Sequence, residues 1–297
     1  YGGSTNYATS TSDVFSETVS QAATTTAVAS SANPSVYGQS VTFTATVTGP
    51  GGTPTGTVTF MDGATTLGTG SLDGSGQATY STSSLSVGSH SITAVYGGDG
   101  IYSGSTSDPL TDTVFQTATS TALTASPGSP VYGQTVTLTA TVSATAPGSG
   151  TPGGSVDFVL DGNTVGSAAL SGGVATISLP GPLSPGSHTV TASYGGDTND
   201  LSSASGPVNF PVKAATTQLL VSASANPVPD GGTVTYTATL SVPGQPGVTP
   251  NGSVRFWIDG AYYGAPVPVS GGTASLPVSG LSYGTHTVAA YYTPSNP

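Results

Sequence analysis

The amino-acid sequence predicts an all-β chain built as a tandem array of small β-sandwiches. Three observations carry that prediction. First, the string Gly-x-His-x-Ile/Val-x-Ala-x-Tyr recurs at 88–96, 186–194 and 284–292, so Tyr96, Tyr194 and Tyr292 keep a constant spacing of 98 residues. A period of that size is one small domain rather than one turn of a solenoid. Second, apolar residues alternate with Thr and Ser in short runs such as Val41-Thr42-Phe43-Thr44-Ala45-Thr46-Val47, the signature of a half-buried strand. Third, these runs are separated by turns drawn from the 43 glycines and 23 prolines, and many short strands with such turns read as sandwiches.

The first full copy shows the elements in order. A first strand covers 24–30, and Asn33-Pro34 marks the turn that ends it, because proline drives the residue before it to extended geometry. Tyr37-Gly38-Gln39 leads into a strand at 41–47, and the Gly/Pro loop 49–54 follows. The next strand, 57–61, is closed by Asp62-Gly63, a strong hairpin signal because both residues tolerate positive φ. Strands at 65–72, 77–85, 88–96 and 106–114 complete a count of seven, that of a constant-type immunoglobulin sandwich. The second copy repeats the order with Val131-Tyr132-Gly133-Gln134, the run 136–142, Val156-Asp157-Phe158 and Asp161-Gly162. The third has Asn226-Pro227, the run 234–240, Val254-Arg255-Phe256 and Asp259-Gly260, with Pro229-Asp230-Gly231-Gly232 in place of Tyr-Gly-Gln.

The fold class expected is therefore a tandem array of seven-stranded immunoglobulin-like β-sandwiches. The divisions expected are 21–115, 116–212 and 213–297, the last lacking its seventh strand. Ahead of them, 1–20 reads as a loop and the last strand, 10–19, of a preceding copy that begins at Tyr1-Gly2-Gly3. Short links near 116–121 and 212–215 predict a semi-rigid rod. Strands of about eight residues at ~3.3 Å each make a module about 35–40 Å long with its loops.

Composition narrows the partners. Lys213 and Arg255 are the two cations against 13 acids, giving a net charge of −11 with only 5% of residues charged. Phosphate backbones need cations, so nucleic acid is not an expected partner, and a polybasic membrane contact is excluded on the same ground. No run approaches the length of a membrane span. The chain has no cysteine, hence neither disulfide staples nor thiolate metal sites. That absence, with a Thr/Ser/Gly surface and few lysines, fits a bacterial or archaeal exterior better than a cytosol. There is no starting Met and no signal peptide, so the chain reads as a mature piece of something longer.

These motifs resemble those of the bacterial immunoglobulin-like tandem repeat family of extracellular surface proteins. The resemblance rests on Asn-Pro leading into Val-x-Phe-Thr-Ala-Thr-Val, on the Gly-x-Val-x-Phe hairpin ending in Asp-Gly, and on the His-containing string with Gly-Gly-Asp after its tyrosine. It spans nearly the whole chain and departs at Tyr292-Thr293-Pro294, where Gly-Gly-Asp is expected. It implies stalks, adhesins and surface filaments, a cell-surface location, and no enzyme activity in the modules.

Candidate sites are few. His90, His188 and His286 occupy the point at which immunoglobulin sandwiches place a hydrogen-bonded corner residue, and one histidine per module cannot pool metal ligands. A structural corner is expected. Calcium wants several converging oxygens, and the best candidates are Asp197 and Asp200 in the loop after the sixth strand. No other cofactor and no catalytic residue is expected, since no nucleophile–base–acid arrangement repeats or clusters. An isopeptide staple needs a lysine in each module, and Lys213 at a boundary is the one lysine present. In 254–258, alternation sends Val254, Phe256 and Ile258 to one face and Arg255 and Trp257 to the other, with Tyr262 and Tyr263 across the hairpin. These four form a candidate contact patch for carbohydrate, a surface ligand or another subunit. A lone surface aromatic covered by its neighbours is the plainer alternative. Asn251-Gly252-Ser253 is a sequon of the kind chance produces.

Two functions stay open. One is a structural rod or filament that self-associates head to tail, the spare strand in 1–20 of one subunit completing the last module of the next. The other is the stalk of a cell-surface adhesin, with its ligand at a tip outside the segment or near Trp257.

Overall fold

The computed structural model describes residues 2–295, so Tyr1, the expected tail of a preceding copy, lies outside the described residues, as do the last two residues of the third copy. In the first sandwich the strands are β1 (Thr25–Ser30), β2 (Ser35–Val36), β3 (Val41–Thr48), β4 (Thr57–Asp62), β5 (Thr65–Ser71), β6 (Gln77–Thr82), β7 (Gly88–Tyr96), β8 (Ser105–Thr106) and β9 (Leu110–Phe115). The second contains β10 (Thr119–Ser126), β11 (Thr137–Ala144), β12 (Ser155–Leu160), β13 (Asn163–Ala169), β14 (Val174–Ser178), β15 (Gly186–Tyr194), β16 (Ser203–Ala204) and β17 (Val208–Val212). The third contains β18 (Gln218–Ala223), β19 (Thr233–Ser241), β20 (Gly252–Ile258), β21 (Ala261–Pro268), β22 (Thr273–Ser279) and β23 (Val288–Pro294). No helix occurs among the described residues, and the fold is all-β throughout.

Each sandwich packs one three-stranded sheet on a second sheet built around the histidine-bearing strand. The pairs are β1-β3-β6 against β2-β9-β7-β4-β5, then β10-β11-β14 against the sheet of β13, β12, β15, β16 and β17, then β18-β19-β22 against β21-β20-β23. Pairing is antiparallel except where the short β2 runs parallel to β9. Contacts divide the chain into two units. One comprises Tyr1–Ala118 with Ala144–Gly150 and Thr198–Leu201; the other comprises Thr119–Ser143, Thr151–Asp197 and Ser202–Pro297. The strand links are short: β9 ends at Phe115 and β10 starts at Thr119, while β17 ends at Val212 and β18 starts at Gln218.

The cores follow from alternation. In β3, Val41, Phe43, Ala45 and Val47 are buried and the threonines between them are not. They meet Val58 and Phe60 of β4 and Ile92, Ala94 and Tyr96 of β7. The second core repeats the set with Val136, Leu138, Ala140, Val142, Val156, Phe158, Val190, Ala192 and Tyr194. Fully burying each such side chain stabilises by roughly 1.5–3 kcal/mol. The third core keeps Val234, Ala238, Val254, Phe256 and Ile258 buried, but Val288, Ala290 and Tyr292 are only partly covered. The cause is local. In the first two sandwiches β9 and β17 pair with the histidine strand; among the described residues nothing pairs with β23 on that side. The exposed fraction of the aliphatic residue in the first strand follows: Leu123 is 8% exposed and its counterpart Val221 is 37% exposed.

Two sequence expectations are corrected. The strand expected at 10–19 is absent: residues 8–20 carry no ladder pairing, and their side chains lie open to solvent. Without a neighbouring strand to accept its backbone groups, an extended segment stays irregular. The strand expected at 106–114 is split into β8 and β9, because Ser107 turns its N–H and Oγ onto the backbone of Ala94 and Pro109 has no N–H to offer a ladder.

Trp257, the single tryptophan, makes the third core directly observable. Phe256→Ala should lower the stability read by Trp257 fluorescence in urea by about 3–5 kcal/mol, since Phe256 is fully enclosed. An unchanged midpoint would refute the packing described for β20.

Candidate functional site

The recurring histidines are built into the sandwiches by the hairpin that faces them. His90 Nδ1 lies 2.7 Å from Asp62 Oδ2 and its Nε2 lies 2.8 Å from the carbonyl of Ser86. The same pair of contacts joins His188 to Asp161 and Ser184, at 2.6 and 2.8 Å, and His286 to Asp259 and Ser282, at 2.5 and 2.8 Å. Each aspartate uses its other oxygen to accept the N–H of the residue after the histidine: Ser91, Thr189 and Thr287. Both ring nitrogens thus face acceptors. Only the imidazolium donates from both, so the geometry itself favours the charged ring.

The proton affinities agree. The carbonyls of Ser184 and Ser282, and then Asp161 and Asp259, raise His188 and His286 above the ordinary histidine value. Burial opposes the charge on His90 most strongly, yet the Ser86 carbonyl and Asp62 together outweigh it and the net shift is upward. Asp161 is lowered chiefly by the Thr189 N–H, and Asp259 chiefly by His286.

The hairpins reach this corner by two routes. Asp161-Gly162 and Asp259-Gly260 form two-residue loops with positive φ at both residues, the backbone of a type I′ turn. In the first sandwich the loop is Gly63-Ala64 instead, and Gly63 N donates to Ser91 as Asp161 N donates to Thr189. Asp62 therefore sits one position earlier than its apparent equivalents and still delivers its carboxylate to the same histidine. Under each ring the register differs too: His90 stands opposite Asp112, His188 opposite Phe210, with ring centroids 5.9 Å apart in the second case. Asp112 is fully buried, accepts from Ser30 Oγ at 3.0 Å, and is pushed up by that burial.

The aromatic patch assembles on the outer face of β20. Trp257 and Tyr262 are register partners whose rings meet edge to face at 4.6 Å. The Arg255 guanidinium lies 5.1 Å from the Tyr262 ring centroid. An exposed cation–π contact of this kind is worth about 0.5–1 kcal/mol. Tyr263 is the next residue along β21, opposite the buried Phe256, so alternation carries it to the other side of the hairpin. Tyr291 of β23 stands opposite Arg255 with its ring exposed and extends the patch instead. Sequence reasoning missed Tyr291 because the pairing of β20 with β23 is non-local.

The acidic loop residues serve the backbone. Asp197 Oδ2 accepts the Gly153 N–H at 2.9 Å, as Asp99 Oδ2 accepts that of Thr55. Asp99 Oδ1 also closes its own loop through the N–H groups of Ile101 and Tyr102; with Thr55 these hold its carboxyl far below the usual range. Asp200 is buried beside Thr117, with which it forms a parallel bridge, and it falls in a different unit from Asp197. Among the described residues no three His, Cys, Asp or Glu side chains converge as a metal site. No helix there is long and apolar enough to cross a membrane, which leaves β-barrels unaddressed.

Two outcomes are expected. Each histidine has a folded pKa above its unfolded value near ~6.5, so the corners stabilise fully below that value and lose their contribution as pH rises through the folded pKa. Asp161 and Asp259 are lowered, so their contribution holds above ~4 and disappears only as pH falls through the lowered values. Melting temperature should therefore fall as pH rises above ~6.5, and replacing all three histidines with Gln should flatten that slope; a slope that persists in the triple variant would overturn the account. Millimolar calcium should leave the melting temperature within error, because no three His, Cys, Asp or Glu side chains converge among the described residues; a clear rise would overturn that expectation.

Comparison with known proteins places this architecture. Among curated proteins, none matches the chain. Solved structures of similar build include a tetra-tandem repeat from the extending region of a large adhesion protein, at 21% identity and TM-score 0.38 over 93% of this chain and 71% of that one. They also include the Escherichia coli adhesin FdeC, at 17% and 0.30 over 91% and 93%. Fibronectin(III)-like modules of Clostridium thermocellum CbhA follow at 21% and 0.27 over 63% and 94%. The bacterial Ig-like domain (group 3) model matches three times in succession, over 27–115, 123–213 and 221–296. The chain belongs to the bacterial Ig-like domain family, of which it carries three tandem copies.

Proposed function

We propose that this chain is a structural spacer on the outside of a prokaryotic cell, the stalk of a surface fibre or adhesin. The observation that carries the reading is the threefold succession of one bacterial Ig-like module, joined by links of a few residues. Modules whose histidines, aspartates and hydroxyls are committed to holding their own backbone supply length and spacing, and the reading assigns them no catalytic step. A surface of threonine and serine with two cations offers few cleavage points to Lys- or Arg-specific proteases, which suits an exposed position. Division of the chain at about 20, 115 and 212 into a leading segment and three modules is part of this proposal.

In its finer form the reading joins copies head to tail by donor-strand complementation. Its support is the exposed apolar side chains of Val14, Phe15 and Val19, together with an edge of β23 that no strand among the described residues pairs with. The second reading, a ligand-binding stalk, is favoured by the Arg255, Trp257 and Tyr262 cluster, whose edge-to-face rings and cation suit a sugar or a partner surface.

Labelling intact source cells with an antibody to the second module should stain the surface without permeabilisation. Signal that appears only after permeabilisation would overturn the extracellular reading. Trp257→Ala should lower binding to cell-surface glycans at least tenfold if the patch is a ligand site; unchanged binding would leave the spacer reading alone.

A further inference from the structure

The second and third sandwiches agree on their inward faces and part on their outward ones. In β12, Val156, Phe158 and Leu160 are buried, and in β20 Val254, Phe256 and Ile258 repeat them. Outside, Asp157, Val159, Thr164 and Ser193 of the second sandwich give way to Arg255, Trp257, Tyr262 and Tyr291 of the third. The pairing is the same in both: Asp157 stands opposite Ser193 and Val159 opposite Thr164, as Arg255 stands opposite Tyr291 and Trp257 opposite Tyr262. The first sandwich has Thr59, Met61, Thr66 and Val95 at these places. A requirement of the fold would act on all three copies, yet this set of side chains occurs in one. A following sandwich does not cover the face, since Asp157, Thr164 and Ser193 are exposed although another module succeeds them.

The backbone beside Arg255 differs as well. In the second sandwich the hairpin ladder shifts between Phe158 and Val159. In the third it shifts between Val254 and Phe256, so that Gly264, Ala265 and Pro266 of β21 stand against Arg255 alone. Gly264 holds a φ of +74°, and Pro266 has no N–H to give a ladder. Irregularities of this kind bend a strand and re-aim the side chain they flank. Arg255 lies over the Tyr262 ring, which leaves the edge of its planar guanidinium, with the N–H donors, open to a ligand. Among the described residues no carboxylate comes within ion-pair distance of it. Asp259, the next acid along the chain, is held by His286 and the Thr287 N–H.

Charge and area define the occupant. Eleven of the 13 acids precede residue 213 and no Lys or Arg does, so an anion meets least repulsion at the third module. Trp257, Tyr262 and Tyr291 are 37%, 55% and 64% exposed. At ~150–250 Å² per aromatic side chain, they and Arg255 offer roughly half the ~800 Å² that each partner of a stable protein interface buries. Tyr262 and Tyr291 lie on the strands either side of Arg255. Strands ~4.8 Å apart and residues ~3.3 Å apart put their backbones about 12 Å from each other, a span for linked rings rather than one small group. We propose that Arg255, Trp257, Tyr262 and Tyr291 form a site for an acidic polysaccharide, a chain of pyranose rings bearing carboxylates. The aromatic side chains take the apolar C–H faces of the sugars, and Arg255 clamps a carboxylate through paired N–H donors. This inference rests on the ligand-binding form of the proposed function and names its ligand class.

Polygalacturonate, alginate and the methyl ester of polygalacturonate separate the contributions, because the ester keeps the rings and removes the charge. The 297-residue chain should bind both polyuronates, and the ester at least tenfold more weakly. Added salt should weaken binding to the polyuronates alone, since the ion pair is exposed. R255Q should reduce affinity for the polyuronates to that for the ester, while Trp257 fluorescence reports an intact third sandwich. Y291A, which keeps the same reporter, should weaken binding to all three polymers. Equal binding of ester and polyuronate would overturn the acidic class and leave the ligand-binding reading standing. Binding to all three that survives both Y291A and W257A would overturn this face as the site. A chain that binds none of them would overturn the acidic class and the ligand-binding reading together. Poly-L-glutamate bound as tightly as the polyuronates, and released by R255Q, would overturn the glycan in favour of an acidic polypeptide.

Discussion

Everything in these sandwiches depends on two facing sheets excluding water with side chains from alternate positions. The chain has no disulfide to constrain its unfolded state and almost no opposite charges to pair. Apolar burial has to outweigh the ordering of nearly a hundred residues per module. The solution is a narrow set of residues: an aliphatic–aromatic–alanine–aliphatic run on one strand, as in Val41, Phe43, Ala45 and Val47, facing Val58, Phe60, Ile92, Ala94 and Tyr96. Small alanines at the centre let the large rings on the opposite sheet interlock. Beside β23, with which no described strand pairs on that side, Tyr292 and Val221 are less covered than their counterparts.

The polar residues are subordinate to that closure. Turning a strand at the edge of a sandwich leaves N–H groups with no ladder partner, and short carboxylates and hydroxyls collect them. Asp62, Asp161 and Asp259 each tie a hairpin to a histidine and to the N–H beyond it; Asp99 and Asp197 tie one loop to another. Ser107 and Ser205 replace ladder bonds at the point where the last strand breaks. Twelve of the thirteen acids are aspartates, in keeping with work done close to the backbone.

Much of this was legible before any coordinates. Strict alternation located the strands because its period matches the pleat, and the Asp-Gly pairs located two of the three hairpins as tight turns. Spacing pointed to a hydrogen-bonded place for the histidines but not to their partners, because Asp62 and His90 come together only when β4 pairs with β7. A non-local pairing, that of β20 with β23, likewise hid Tyr291 from the aromatic patch, whereas Tyr263 leaves it by alternation along the local hairpin. The apparent match of Asp62 with Asp161 concealed a one-residue offset that the flexible reach of the carboxylate absorbs. The segment 10–19 has a strand's composition without a strand's structure, since composition states a preference and only a neighbour satisfies it.

The residue beneath each histidine carries a consequence of another kind. In a chain of near-copies, any last strand could in principle lie beside any histidine strand, and such exchange between adjacent repeats is a characteristic misfolding hazard. Asp112 fills this place in the first sandwich and Phe210 in the second, one an acid that needs Ser30 and the other a ring that needs room. The second sandwich has Ala125 where the first has Ser30. A strand set down in the wrong module would bring a carboxylate to a site without its hydroxyl, or a ring to a site shaped for an acid. The position therefore acts as an address written in side-chain chemistry, by which repeats alike in backbone remain distinguishable to one another.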